Sequence, residues 1–145
     1  MKKDPRHHAR EAALQILYQW EIGGADVDRA AETFFTLQWP NADAPADDLR
    51  AFASALAHDV VDRLEAVDLL IAETAANWRP ERMAVLDRLI LRLAVCELLR
   101  EPSVPPAVVI NEALELARTF STEEAVKFIN GMLDAIRKKI EKVKS

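Results

Sequence analysis

The residues with the clearest chemical potential lie together near the start of the chain. Arg6, His7, His8 and Arg10 fall within five positions, and Tyr18 follows on the same predicted helix. At about 100° per helical residue, His7, Arg10 and Tyr18 lie opposite the apolar positions, with Arg6 at the border. Arginine forks bind phosphate, and an exposed aromatic ring stacks on an unpaired base. These residue types therefore suit a binding site for single-stranded RNA.

This segment admits two other interpretations. In the first, the basic helix end is merely solvated and Tyr18 packs at the rim of the core, which residue types alone favour. In the second, His7 and His8 bind a metal ion. Because neighbouring helical residues point about 100° apart, the two imidazoles do not converge on one ion. We therefore expect no metal site.

Composition favours one all-α domain spanning residues 1–145. The chain has 145 residues, of which 50% are hydrophobic and 30% charged, with only three glycines. The single cysteine, Cys96, fits a reducing compartment, and no signal peptide or membrane span is visible, so we expect a cytoplasmic protein. A net charge of −5 argues against non-specific coating of nucleic acid, so any contact with it must be local.

No motif of a catalytic site stands out in the sequence. There is no phosphate-binding glycine loop, no Cys-x-x-Cys pair and no Gly-x-Ser-x-Gly. The acidic residues are spread along the chain and do not converge on a histidine or lysine. We therefore expect neither an enzyme nor a cofactor.

Apolar spacing divides the chain into helices that must position these residues. The first is capped at Asp4-Pro5, runs to about Glu21 and stops at Gly23-Gly24. Residues 39–48 form a polar loop. Residues 81–100 are apolar almost all round, which is typical of a bundle centre, and their interrupting Arg92 and Glu97 need buried partners. The further predicted helices cover residues 27–37, 49–61 and 64–77.

The stretch 104–134 predicts a helical hairpin. Pro105 and Pro106 suit the first turn of a helix that ends at Phe120. Ser121 and Glu124 have capping-box spacing and would start the next helix. The apolar period continues through Asn130-Gly131, so we expect Gly131 to be helical and to lie where another backbone approaches closely.

Three segments carry a family resemblance: INEALELARTFSTEEAVKFINGMLD, NWRPERMAVLDRLILRLAVCELL and RHHAREAALQILYQW. In order and spacing they resemble the NusB family of transcription antitermination factors, over well more than half of the chain. The resemblance implies about seven helices in two small helical bundles that share one core. It also favours RNA binding over a merely solvated basic end.

The resemblance implies specific roles for individual residues. The first helix would contact RNA through Arg6, His7, His8, Arg10 and Tyr18, and the last helix through Lys127 and Phe128, although Phe128 also fits the core register. Histidines where some members have arginines imply weaker, more pH-sensitive contacts. Asp87 and Arg88 would contact the partner protein, or else form a solvated helix edge. An exposed Arg10 would be replaceable by Ala with little change in melting temperature.

The implied partners are single-stranded boxA-type RNA of ribosomal-operon transcripts, the ribosomal protein NusE, and the antitermination complex on RNA polymerase. Two alternatives stay open. One is a detached NusB-like domain of an RNA cytosine methyltransferase. The other is a helical protein–protein adaptor or homodimer that binds no RNA.

Overall fold

The computed structural model describes residues 6–38, 47–75, 79–100 and 104–144. Within these residues the chain forms seven α-helices and no strand, which confirms the all-α prediction. It divides into two compact units, residues 1–62 and 63–145. One domain with a shared core therefore stays a prediction. The helices are α1 His7–Gly23, α2 Val27–Leu37, α3 Asp47–Asp62, α4 Leu64–Thr74, α5 Val85–Leu99, α6 Pro106–Phe120 and α7 Glu123–Lys144.

In the first unit, α1 packs against both α2 and α3. Its buried apolar residues are three alanines, which let helices approach closely, and three larger side chains. The helix ends where the glycine pair predicts, because Gly24 takes a left-handed φ of 71° that terminates the helical ladder. The predicted cap at Asp4-Pro5 lies outside the described residues. Buried α1 side chains include Ala9, Ala12, Ala13, Leu14, Ile16 and Leu17.

An acidic residue lies at the start of each of the next two helices: Asp26 caps α2, and Asp47 is the first residue of α3. The Asp26 carboxylate accepts a hydrogen bond from the Arg29 backbone N–H at 3.0 Å, which satisfies a free donor of the first turn of α2. Helix α3 begins at Asp47, two residues before the predicted start at Leu49. Most of the predicted loop at 39–48 lies outside the described residues.

His58 connects α3 to α2 through both ring nitrogens. Nδ1 lies 2.7 Å from the Ser54 carbonyl oxygen, and Nε2 lies 2.5 Å from a carboxylate oxygen of Asp28. Two acceptors facing both nitrogens suit the doubly protonated imidazolium. The pKa of His58 is accordingly raised, chiefly by the hydrogen bond to Asp28. His58 is partly buried, and it connects two helices.

Helix α5 is the central element of the second unit, where it packs against α4, α6 and α7. The predicted all-round burial is confirmed, because every side chain from Arg88 to Leu98 is buried. The predicted start at Glu81 is wrong. Pro80–Arg82 forms a separate 3-10 turn, and α5 begins at Val85.

The predicted ion pair of Arg92 is confirmed, and its carboxylate is Asp68 on α4. Arg92 Nε donates to one carboxylate oxygen and Nη2 to the other, each at 2.9 Å. Arg92 is 5% exposed, so this two-point contact stabilises a charge that has left water. Glu97 on α5 and Glu112 on α6 are also buried.

The hairpin of α6 and α7 forms as predicted, but its joint differs by one residue. Pro105 caps α6 and Pro106 is its first residue. The predicted capping box of Ser121 and Glu124 is wrong, because the Thr122 hydroxyl accepts from the Ala125 backbone N–H at 3.1 Å. The Ser121 hydroxyl instead donates to Asp87 at the start of α5. The joint is thereby fixed to the helix it packs on.

We predict that Asp68→Ala lowers the free energy of unfolding by about 2–4 kcal/mol, since it leaves the buried Arg92 guanidinium without its carboxylate. Urea denaturation of the wild type and variant measures the difference. The double variant Asp68→Ala, Arg92→Met should lose less stability than the single variant, because the guanidinium is removed together with the carboxylate of Asp68. A single-variant loss below about 0.5 kcal/mol would show that the ion pair is dispensable.

The raised pKa of His58 predicts a pH-dependent contribution to stability. Because the folded-state pKa lies above the ordinary 6.5, the contribution is fully present below 6.5 and is lost as pH rises through the folded-state value. Asp28→Asn should therefore destabilise the protein by about 0.3–1 kcal/mol at about pH 5.5 and much less at about pH 9. Asp62→Asn, a more weakly coupled carboxylate, is the matched control. Equal losses at both pH values would contradict the assignment.

Candidate nucleic-acid interface

The basic start of α1 lies against an aromatic ring of α3. The guanidinium carbon of Arg6 is 4.3 Å from the ring centroid of Phe52, and that of Arg10 is 5.5 Å from it. Both distances are within the range of a cation–π contact. Arg6 is half-buried, whereas Arg10 is only 2% exposed. The expectation that Arg10 points into solvent is therefore wrong, and Arg10 joins α1 to α3.

The two histidines differ sharply in exposure although they are neighbours. The His7 residue is 5% exposed, whereas the side chain of His8 is 77% exposed. Both approach the same Glu11 carboxylate oxygen, His7 Nε2 at 3.7 Å and His8 Nδ1 at 3.2 Å. Glu11 thus holds the exposed imidazole of His8 in place. Its spacing of three and four residues from the histidines was visible in the sequence, but its role was not predicted.

The burial of His7 and Arg10 has a simple helical cause. Because α1 packs against two helices, it needs a second buried stripe besides the alanine face. His7, Arg10, Leu14 and Leu17 recur at spacings of three and four and form that stripe. Tyr18 lies outside it and is 39% exposed, as predicted. The solvent-facing candidates of α1 are therefore His8 and Tyr18, with Arg6 at the margin.

The second unit carries an exposed cation beside an exposed ring. Lys127 and Phe128 are adjacent on α7, and both are exposed, with Phe128 at 43%. The buried side of α7 comprises Ala125, Val126, Ile129, Met132, Leu133 and Ile136. The open question about Phe128 is thereby answered, because its ring lies outside the core. A cation beside an aromatic surface suits a phosphate and an adjoining base.

The two proposed partner residues are held firmly within the second unit. Arg88 is 8% exposed and its Nη1 donates to the Pro80 carbonyl oxygen at 2.6 Å. Asp87 is half-buried and accepts the Ser121 hydroxyl. A solvated helix edge is therefore the wrong description of Arg88. Both residues fix the start of α5 against its surroundings.

Among the described residues, no three His, Cys, Asp or Glu side chains are grouped so as to hold a metal ion. Across the same residues, no helix combines the length and apolar character needed to cross a membrane. The exposed candidates offer binding chemistry: a lysine for phosphate, an imidazole for hydrogen bonds, and two aromatic faces for stacking.

The profile of the NusB family matches residues 7–138 of the chain. Transcription antitermination protein NusB of Koribacter versatilis is 42% identical over 141 residues, which cover 97% of this chain and 94% of that protein. The NusB protein of Sorangium cellulosum is 42% identical over 139 residues, which cover 95% of each chain.

Solved structures share the fold at lower sequence identity. The NusB protein of T. maritima superposes with a TM-score of 0.81 at 33% identity, covering 94% of this chain and 93% of that one. A chain from the crystal structure of antitermination factors NusB and NusE in complex with double-stranded RNA gives a TM-score of 0.81 at 28% identity, covering 92% and 96%. The fold and these matches define an all-α protein of a transcription-factor class. The chain belongs to the NusB family.

The position of Arg10 predicts a structural effect of its loss. Arg10→Ala should lower the free energy of unfolding by about 1–3 kcal/mol, because it removes buried packing and the contact with Phe52. The exposed His8→Ala on the same helix is the control and should change stability by less than about 0.5 kcal/mol. Urea denaturation at neutral pH measures both. Equal stability of the two variants would mean that Arg10 does not join α1 to α3.

Proposed function

We propose that this protein is a transcription antitermination factor that binds single-stranded boxA-type RNA in nascent ribosomal-operon transcripts. Membership of the NusB family supports the biological role. The observation that carries the RNA contact is the exposed lysine next to an exposed aromatic ring on α7, together with an exposed histidine and an exposed tyrosine on α1. These residues are Lys127 and Phe128 on α7, and His8 and Tyr18 on α1.

The proposed binding mechanism separates contact residues from positioning residues. Arg6, His8 and Lys127 would meet phosphates or base edges, while Tyr18 and Phe128 would stack on unpaired bases. Stacking needs an unpaired face, which favours a single strand, although the structurally similar NusB–NusE complex contains double-stranded RNA. The buried His7 and Arg10, which the resemblance implies as contacts, would instead fix the orientation of α1.

The proposed protein partner is NusE, because a structurally similar NusB chain is solved together with NusE and RNA. Asp87 is the candidate contact, and the buried Arg88 would hold the adjoining turn in shape. Glu81 and Arg82 on that turn are exposed and would extend the surface. Binding of both ligands at once would raise the affinity for RNA by effective concentration. We also propose assembly into the antitermination complex on RNA polymerase, in the cytoplasm and without enzymatic activity.

The two alternatives receive less support. The chain covers 94% and 95% of the two curated relatives described above, and both are antitermination proteins, not methyltransferases. A pure adaptor or homodimer would leave the exposed rings and cations of α1 and α7 without a role. Self-association through such a face is one outcome that a binding experiment can detect.

Fluorescence anisotropy with a labelled boxA-type single strand, with and without NusE, tests the function. We expect Lys127→Ala to weaken binding about 3–10-fold and to reduce the slope of log K against log salt by about 0.7, because one phosphate contact on a single strand is lost. Tyr18→Ala should weaken binding by a similar factor with an unchanged salt slope, since stacking is not ionic.

The matched control is Lys138→Ala, which removes an exposed lysine of the same helix that is paired with Asp134 at 3.1 Å. It should leave RNA binding near the wild-type level. A scrambled single strand and a boxA-type duplex measure sequence and strand preference. No wild-type binding to any of these RNAs, either alone or with NusE, would leave the adaptor or homodimer as the better description. Tighter binding of the duplex would refute the single-strand preference.

A further inference from the structure

Gly131 has no explanation within the described part of the protein. It is an exposed residue inside α7, with a full turn of helix on either side. A Cβ placed on it meets no atom of the described residues within 4 Å, so the expected close approach of another backbone is wrong for this part of the chain. Gly24 is the described glycine with a positive φ, so Gly131 is not needed for a left-handed conformation. Glycine is nevertheless among the poorest residues for a helix interior.

The position of Gly131 on the helix indicates what it could serve. Residues three and four apart are neighbours on a helix surface, so Gly131 lies one turn after both Phe128 and Lys127. These two residues are the exposed ring and cation proposed above to meet RNA. Gly131 therefore forms a patch of bare helix backbone directly beside them.

The geometry of a nucleotide fits this arrangement. A base stacked on the ring of Phe128 carries its ribose at the edge of the base, beside the ring and not above it. Three residues along a helix rise about 4.5 Å. This rise is close to the distance between the centre of a base and the centre of its own sugar ring. A side chain at position 131 would project into the space that this sugar needs.

We propose that Gly131 is a specificity-determining position of the RNA site, where the ribose–phosphate backbone of one nucleotide lies directly against α7. Its base stacks on Phe128 and its phosphate pairs with Lys127. The proposal rests on the proposed function and adds to it a steric requirement. An RNA strand is favoured over a protein segment as the occupant, because a lone cation beside an aromatic plane complements a phosphate and a flat base.

Two substitutions of Gly131 test the proposal in the same anisotropy assay. Gly131→Ala should raise the melting temperature by about 3 °C, because alanine favours the helix and meets open space. It should weaken RNA binding about 3–5-fold, and the bulkier Gly131→Leu should weaken it more than about 10-fold. The expected signature is a more stable protein that binds RNA less well.

Gly23→Ala is the matched control, because Gly23 is also an exposed helical glycine and a Cβ there meets only the Gln19 side chain at 3.4 Å. It should leave RNA affinity unchanged. In the double variant Phe128→Ala, Gly131→Leu, the losses should be less than additive, because a strand no longer stacked on the ring no longer needs the bare backbone.

The outcomes separate this inference from the proposed function. If the wild type binds RNA, and Phe128→Ala weakens binding while Gly131→Leu does not, the inference is wrong and the function stands. A fall in melting temperature for Gly131→Ala would assign the glycine a structural role and overturn the inference. If Gly131→Leu impairs NusE binding and leaves RNA binding unchanged, the surface at Gly131 binds a protein and not RNA. Absence of any wild-type RNA binding refutes the proposed function itself.

Discussion

The two-point ion pair between Arg92 and Asp68 is the constraint on which the second unit depends. Helix α5 is buried on all sides, and a guanidinium in such surroundings is stable only beside a carboxylate. Asp68 supplies it from α4, which fixes the register of α4 on α5. The start of α5 is fixed in the same manner, since Asp87 accepts from Ser121 at the hairpin joint. Polar contacts thus determine the positions at which α4 and the α6–α7 joint pack against the apolar helix α5.

Burial of a charged side chain also reduces the candidate RNA surface in the first unit. A cation can serve as a phosphate contact only if it can be reached, and Arg10 is instead packed beside Phe52. The basic start of α1 therefore has two tasks. Its buried members hold the helix, and its exposed member, His8, is the proposed ligand contact. Glu11 connects the buried and the exposed residues, because one of its carboxylate oxygens lies near both His7 and His8.

Local rules predicted most of the fold, and tertiary contacts explain most of what was missed. Glycine and proline placed the end of α1 and the start of α6 correctly, because these signals act within one or two residues. The hairpin cap was misplaced by one residue because a distant carboxylate, that of Asp87, takes the Ser121 hydroxyl. The burial of Arg10 was not predicted because α1 packs against two helices and therefore buries two stripes of side chains. The sequence of α1 alone does not indicate how many helices pack against it.

Gly131 shows why a failed structural expectation can be informative about function. The sequence signalled a glycine where apolar spacing demands a helix, and a close contact inside the chain was the natural explanation. The structure removes that explanation, because the space above Gly131 is open. A residue that weakens its own helix without relieving any crowding among the described residues is locally inconsistent, and such inconsistencies are expected where binding is the constraint. The exposed ring of Phe128 one turn away indicates the same surface by a separate criterion.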